Sequence, residues 1–149
     1  MPTAAKLVSS IWFALLAWFA AELVKNHLPD GTQVGFMSYI SGGFGLLTGW
    51  VFMGKRAGDT MRAAYGYGLS SSIILSFWSV FYFAFETMIH RSMSHRYHGP
   101  GDALVGMVDL MGDYGLYLIK PDVLIILIVG GLFGGWITEK AVRKWACRY

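Results

Sequence analysis

Five side chains able to hold a metal or an anion crowd into one short stretch. They are His90, Arg91, His95, Arg96 and His98, within nine residues and next to Met88 and Met93. Imidazoles spaced this closely suit zinc or copper, and a thioether suits cuprous copper. Two guanidiniums among imidazoles suit an oxyanion, because each guanidinium presents a fixed fork of donors. The one carboxylate close by is Glu86, four residues before His90, where the two can pair on a helix face. A basic, aromatic stretch leaving a membrane helix also meets lipid headgroups and water. The five residues are therefore read as candidate anion or lipid-headgroup contacts, and no metal site is assigned.

The next polar pattern is a stripe. Asp102, Asp109, Asp113 and Lys120 are spaced by seven, four and seven. At about 100° per residue they fall within about 20° of one line on a helix. Leu104, Met107, Val108, Leu110, Met111, Tyr114 and Leu118 fill much of the rest. This pattern predicts an amphipathic helix over 101–119, lying along the membrane surface. Its carboxylates read as a solvated face rather than a cation site. A fifth span here is rejected, because aspartates would sit in mid-membrane without partners.

Other reactive arrangements are missing from the sequence. It contains no glycine-rich phosphate loop after a strand, no Gly-x-Ser-x-Gly elbow and no His-Glu-x-x-His. No catalytic residue and no cofactor is assigned, and the expectation is that the chain is not an enzyme. One cysteine, Cys147, excludes a disulfide within the chain and a multi-cysteine zinc site. Lys144 and Arg148 beside it favour its thiolate, but it reads as an ordinary tail cysteine.

Composition states what must position these residues. Of 149 residues 55% are apolar and 14% charged, with a mean hydropathy of +0.49. Soluble domains run at about 25% charged, so this chain cannot coat a water-facing surface. It is also too apolar for a disordered chain. A net charge of +3 without a long basic run gives no reason to expect nucleic acid as a partner.

Four apolar segments approach the length of a bilayer span. They cover about 7–24, 36–53, 63–85 and 121–138 of one membrane domain, 1–149. The first carries one charge, Glu22, near its end, and the second and third carry none. The first reads as a span rather than a cleaved signal, since Trp18 and Phe19 occupy the places small residues would need. Turn residues around Pro29-Asp30-Gly31, Gly54–Asp59 and Lys120-Pro121-Asp122 separate the segments. No ionisable residue falls in mid-span, which disfavours an ion-coupled pump. With four spans, eight of the twelve basic residues share a side with both termini. Seven of the nine acids lie on the other side. The positive-inside tendency then predicts cytoplasmic N- and C-termini.

Glycines predict how the helices meet. Gly45 with Gly49, Gly130 with Gly134, and Gly131 with Gly135 are each four apart. Such pairs share a helix face and let two backbones approach closely. An internal helix seam is the favoured reading, ahead of a face for a second molecule.

Several stretches occur together in a familiar order. Met-Pro-Thr-Ala-Ala-Lys-Leu-Val opens the chain, and Leu-Pro-Asp-Gly-Thr precedes the second span. Thr-Gly-Trp and Gly-Lys-Arg-Ala-Gly close that span, and His-Arg-Tyr-His-Gly-Pro-Gly-Asp-Ala-Leu starts the outer segment. Val-Gly-Gly-Leu-Phe-Gly-Gly, Glu139 and Arg143-Lys144-Trp145 follow near the end. The order resembles the TrgA family of bacterial membrane proteins, associated with tellurite resistance. The resemblance implies a small multi-span protein of the inner membrane and brings no catalytic residues. Where that family has a double arginine before the tyrosine of the outer segment, this chain has His95 and Arg96.

The resulting expectation is an all-α integral membrane four-helix bundle with an extra amphipathic helix in its long third loop. Its implied role is a non-catalytic contribution to tellurite tolerance in the bacterial inner membrane, with membrane lipids as partners. The alternative is an accessory subunit of a larger respiratory or photosynthetic membrane complex.

Overall fold

A computed structural model describes residues 2–28, 35–95 and 97–146. All regular structure among them is helical. The elements are α1 (Pro2–His27), α2 (Met37–Thr48), a π-helical turn (Gly49–Met53), α3 (Gly54–Arg56), α4 (Met61–Met93), α5 (Pro100–Leu118) and α6 (Pro121–Ala146). Three helices are long and apolar enough to cross a membrane: Thr3–His27, Met61–Met93 and Pro121–Trp145. Proline opens both α5 and α6, where its missing N–H costs no helical bond. Thr60 caps α4, its Oγ1 accepting the Ala63 N–H at 3.3 Å.

The second apolar segment is less regular than its composition suggests. Its twenty residues from Met37 to Arg56 stay helical throughout, but the π-helical turn interrupts the α-helical ladder at Gly49. At that point the backbone presses on α1. A Cβ on Gly49 would collide with the main chain of Ser9 and Ser10. Ser9 Oγ donates to the Gly49 carbonyl at 2.8 Å in a buried contact. A local change of helical pitch lets a backbone group serve a neighbouring helix.

Close contacts define the helix directions. Gly45 faces Phe13 and Ala17, Gly49 faces Ser9, and Gly54 faces Lys6, so α2 and α3 run antiparallel to α1. Gly130 meets Leu16 and Gly134 meets Trp12 and Phe13, which sets α6 antiparallel to α1. Gly131 meets Gly68 and Ser72 while Gly135 meets Ala64, so α6 also runs antiparallel to α4. The two glycine pairs of α6 thus point to different neighbours. One row lies on α1 and the adjacent row on α4. Trp12 Nε1 donates to the Gly130 carbonyl at 2.9 Å and adds a polar tie across the first contact.

Apolar packing fills the spaces between the crossings. Phe13, Leu16, Ala17, Met53 and Leu75 form one buried cluster. Ala20, Val24, Met37, Phe83, Val123 and Leu127 form another nearer the α1–α2 connection. A cavity of about 40 Å³ persists between them, lined mainly by apolar side chains.

Helix α4 extends further than the 63–85 span. Its 33 residues measure about 50 Å at 1.5 Å per residue, against about 30 Å for the hydrocarbon core. The surplus carries Glu86, His90 and Arg91, which lie on helix rather than in a long loop. Met107 and Leu110 of α5 pack on Ala84 at the end of the span, with Met88 of the extension beside them. The carboxylates of Asp102, Asp109 and Asp113 are exposed.

Bulky substitutions at the α4–α6 crossing should separate the helices. Gly131→Leu and Gly135→Leu each place side-chain atoms on the α4 backbone or Ser72. An overpacking cost of about 1–3 kcal/mol or more is expected. Gly66→Leu is the control, because no heavy atom lies within 4 Å of a Cβ there. Membrane yield and melting temperature in mild detergent should fall for the first two and hold for the third.

Candidate functional site

Of the five residues of the basic stretch, the structure describes His90, Arg91, His95 and His98. His90 is exposed on the last turn of α4. His98 is exposed in the connection to α5. Arg96 lies outside the described residues. Among the described residues no group of three His, Cys, Asp or Glu side chains comes together.

His95 has a backbone role that its spacing did not reveal. Its φ is 55°, the left-handed region, directly after the end of α4 at Ser94. Its N–H bonds the Ser92 carbonyl at 3.2 Å. Glycine or asparagine usually fills such a helix-terminating position. The chain turns here from α4 towards α5, and Tyr97 then packs its ring against Gly106.

Arg91 points into a different neighbourhood. It lines an open pocket of about 510 Å³ where α4, α5 and the end of α1 converge. Lys120, in the short connection between α5 and α6, brings a second cation. Asp113 adds one carboxylate, and Thr87, Tyr114 and Tyr117 add hydroxyl-bearing side chains. Leu28, Leu110 and Leu116 make the apolar wall. Thr87 Oγ1 and Tyr114 OH lie 3.0 Å apart and share a hydrogen bond. None of the ion pairs formed among the described residues uses Arg91, Lys120 or Asp113. The heptad spacing of Asp113 and Lys120 was visible in the sequence as part of a solvated stripe. Their convergence with Arg91, on a separate helix, was not.

A second polar arrangement sits at the opposite end. Glu139 on α6 is only 2% exposed. Its Oε2 accepts the Gly58 N–H at 3.0 Å, and its Oε1 accepts from Arg143 Nε at 3.2 Å. Gly58 has φ 103°, a conformation that favours glycine. The carboxylate therefore holds the connection between α3 and α4 against α6. A buried carboxylate requires such partners. The geometry is that of a structural latch, since its two oxygens are engaged by the chain itself.

At the α1–α2 end, Glu22 receives Ser38 Oγ–H at 2.6 Å and Lys25 Nζ at 3.1 Å on the same oxygen. His27 Nε2 stands 3.7 Å from Asp122 Oδ2 and links the ends of α1 and α6. These pairs tie helix ends together, whereas the side chains of Arg91 and Lys120 line a pocket and form no ion pair among the described residues.

The chain is thus an all-helical protein with at least three membrane-competent helices and an amphiphilic pocket at one end. Comparison with protein-family profiles, curated protein sequences and solved structures finds no match.

Two substitutions test the roles given to Glu139 and His95. Glu139→Ala leaves the Gly58 N–H and Arg143 without their acceptor. It should cost about 1–3 kcal/mol, read as a lower melting temperature in detergent. Glu139→Gln keeps an acceptor and should cost less. At position 95, His95→Gly should match or exceed the parent's stability. His95→Val should lose about 1–2 kcal/mol, because a β-branched residue tolerates positive φ poorly. Equal stability of the two variants would remove the helix-stop role.

Proposed function

We propose that the chain is a four-span bacterial inner-membrane protein, with both termini cytoplasmic, that acts without catalysis. The observation that carries the fourth span is the register of α2 and α3 along α1. Contacts run from Ser38 on Glu22 at one end to Gly54 on Lys6 at the other. Those limits on α1 are sixteen residues apart, about 24 Å of shared helix. The Met37–Met53 part of that run is uncharged. A 20-residue helix is about 30 Å long, the thickness of the hydrocarbon core. In this reading α5 is the additional amphipathic helix. Its exposed Leu104, Val108 and Ile119 face lipid, and its aspartates face water.

The role we assign is a contribution to tellurite tolerance, as the likeness to the TrgA family implies. A second reading, an accessory subunit of a larger respiratory or photosynthetic complex, draws on α4. Phe77, Trp78, Phe81 and Phe85 are exposed along one side of that helix. Phe77, Trp78 and Phe81 contact one another ring to ring. Such a ridge fits a protein neighbour as well as lipid.

A reporter fused after Tyr149 should be active if it needs the cytoplasm and silent if it needs the periplasm. The reverse pattern overturns the topology. Loss of the chain should sensitise its host to tellurite, with tolerance restored by a plasmid copy. Unchanged sensitivity removes the tolerance role. Migration with a large complex on native gels in mild detergent would favour the subunit reading.

A further inference from the structure

We propose that the pocket between α4, α5 and the end of α1 binds the phosphodiester headgroup of a phospholipid. In it, Arg91 and Lys120 hold the phosphate and Asp113 accepts a hydrogen bond from the headgroup. The inference rests on the reading of the chain as a membrane protein, and it is independent of the role in tellurite tolerance.

The charges select the ligand class. Arg91 and Lys120 contribute two cations to one pocket, and Asp113 contributes one anion. Guanidinium and ammonium are both good phosphate donors, the first as a planar fork and the second as a point charge. Among the described residues these charges sum to +1, which suits a singly charged phosphodiester. A small dianion would lie against the Asp113 carboxylate and meet repulsion there. A headgroup with its own donors meets an acceptor instead. Phosphatidylethanolamine offers an ammonium and phosphatidylglycerol offers hydroxyls, whereas phosphatidylcholine has no donor to give.

The wall supports a lipid over a free anion. Leu28, Leu110 and Leu116 line the same pocket. Leu116 is also 64% exposed, and Ile119 nearby is 65% exposed. An inorganic ion gains nothing from leucines. A lipid's glycerol and first acyl carbons gain by burying against them. The position fits as well. Arg91 stands on the part of α4 that exceeds the membrane span, and Lys120 on the turn that starts α6. Both lie at helix ends, where headgroups are found. A lipid seated there can lay its acyl chains along the exposed Leu116 and Ile119.

The test uses full-length protein, delipidated in detergent, and native mass spectrometry with added short-chain lipids. Dioctanoyl phosphatidylglycerol and dioctanoyl phosphatidylethanolamine should each give a one-to-one adduct, and dioctanoyl phosphatidylcholine a weaker one. Arg91→Gln and Lys120→Gln should each weaken the adduct about tenfold or more, the worth of one hydrogen bond to a charged group. Arg91→Lys should recover part of the loss. Both residues are exposed, so lipid-free melting temperatures should equal the parent's. Asp113→Asn should narrow the difference between phosphatidylethanolamine and phosphatidylcholine. Glutamine variants that bind as the parent does would overturn the proposal. So would equal adducts with all three lipids. Inorganic phosphate that displaces the lipid at equal concentration would overturn the lipid as occupant.

Discussion

The contact between α6 and its two neighbours is the constraint on which the other contacts depend. Lipid tails are as apolar as leucine, so apolar burial does not drive helices together inside a bilayer. Close backbone approach does, through dispersion and short polar ties. The doubled glycine pairs of α6 allow this on two faces at once. Gly130 and Gly134 meet α1, and Gly131 and Gly135 meet α4. With α6 held between them, α1 can take α2 on its other side through Gly45 and Gly49. The Trp12 bond to the Gly130 carbonyl and the Ser9 bond to the Gly49 carbonyl lie at these same crossings.

Both ends of the helix assembly are then closed by polar groups, but to different effect. At one end Glu139 is saturated by Gly58 and Arg143, which fixes the connection into α4. At the other end α4 overruns the span and α5 folds onto it through Met107 and Leu110. Arg91 and Lys120 line one pocket there, and neither forms an ion pair among the described residues. One helix end is braced by a buried carboxylate, and the other gathers exposed charges around a pocket.

The basic stretch shows how spacing and fold can disagree. His90, Arg91, His95 and His98 are close in sequence, yet the end of α4 distributes them to different surroundings. A helix followed by a left-handed residue at His95 reverses the chain, so neighbours on either side diverge. The cation that joins Arg91 comes from Lys120, 29 positions further on. Hydroxyls from Thr87, Tyr114 and Tyr117 complete the lining, and none of these carried a signal of its own.

Apolar length and helical period are local properties, and they were legible without coordinates. The long apolar runs in α1, α4 and α6, the prolines that start α5 and α6, and the aspartate stripe all follow from residue type and the 3.6-residue repeat. So did the pairing of glycines on a helix face. Which helix each glycine row would meet depends on packing among several elements, and periodicity carries no information about that. The π-helical turn begins at Gly49, where that backbone meets Ser9 of α1, a contact forty residues away in sequence. Past Phe85, α4 meets α5 through Met88 and through the Thr87–Tyr114 hydrogen bond. Burial of Glu139 against Gly58, and the shared pocket of Arg91 and Lys120, likewise require segments apart in sequence to be brought together. Residue types determined the solvent and the helices, and their mutual packing decided where the charges stand.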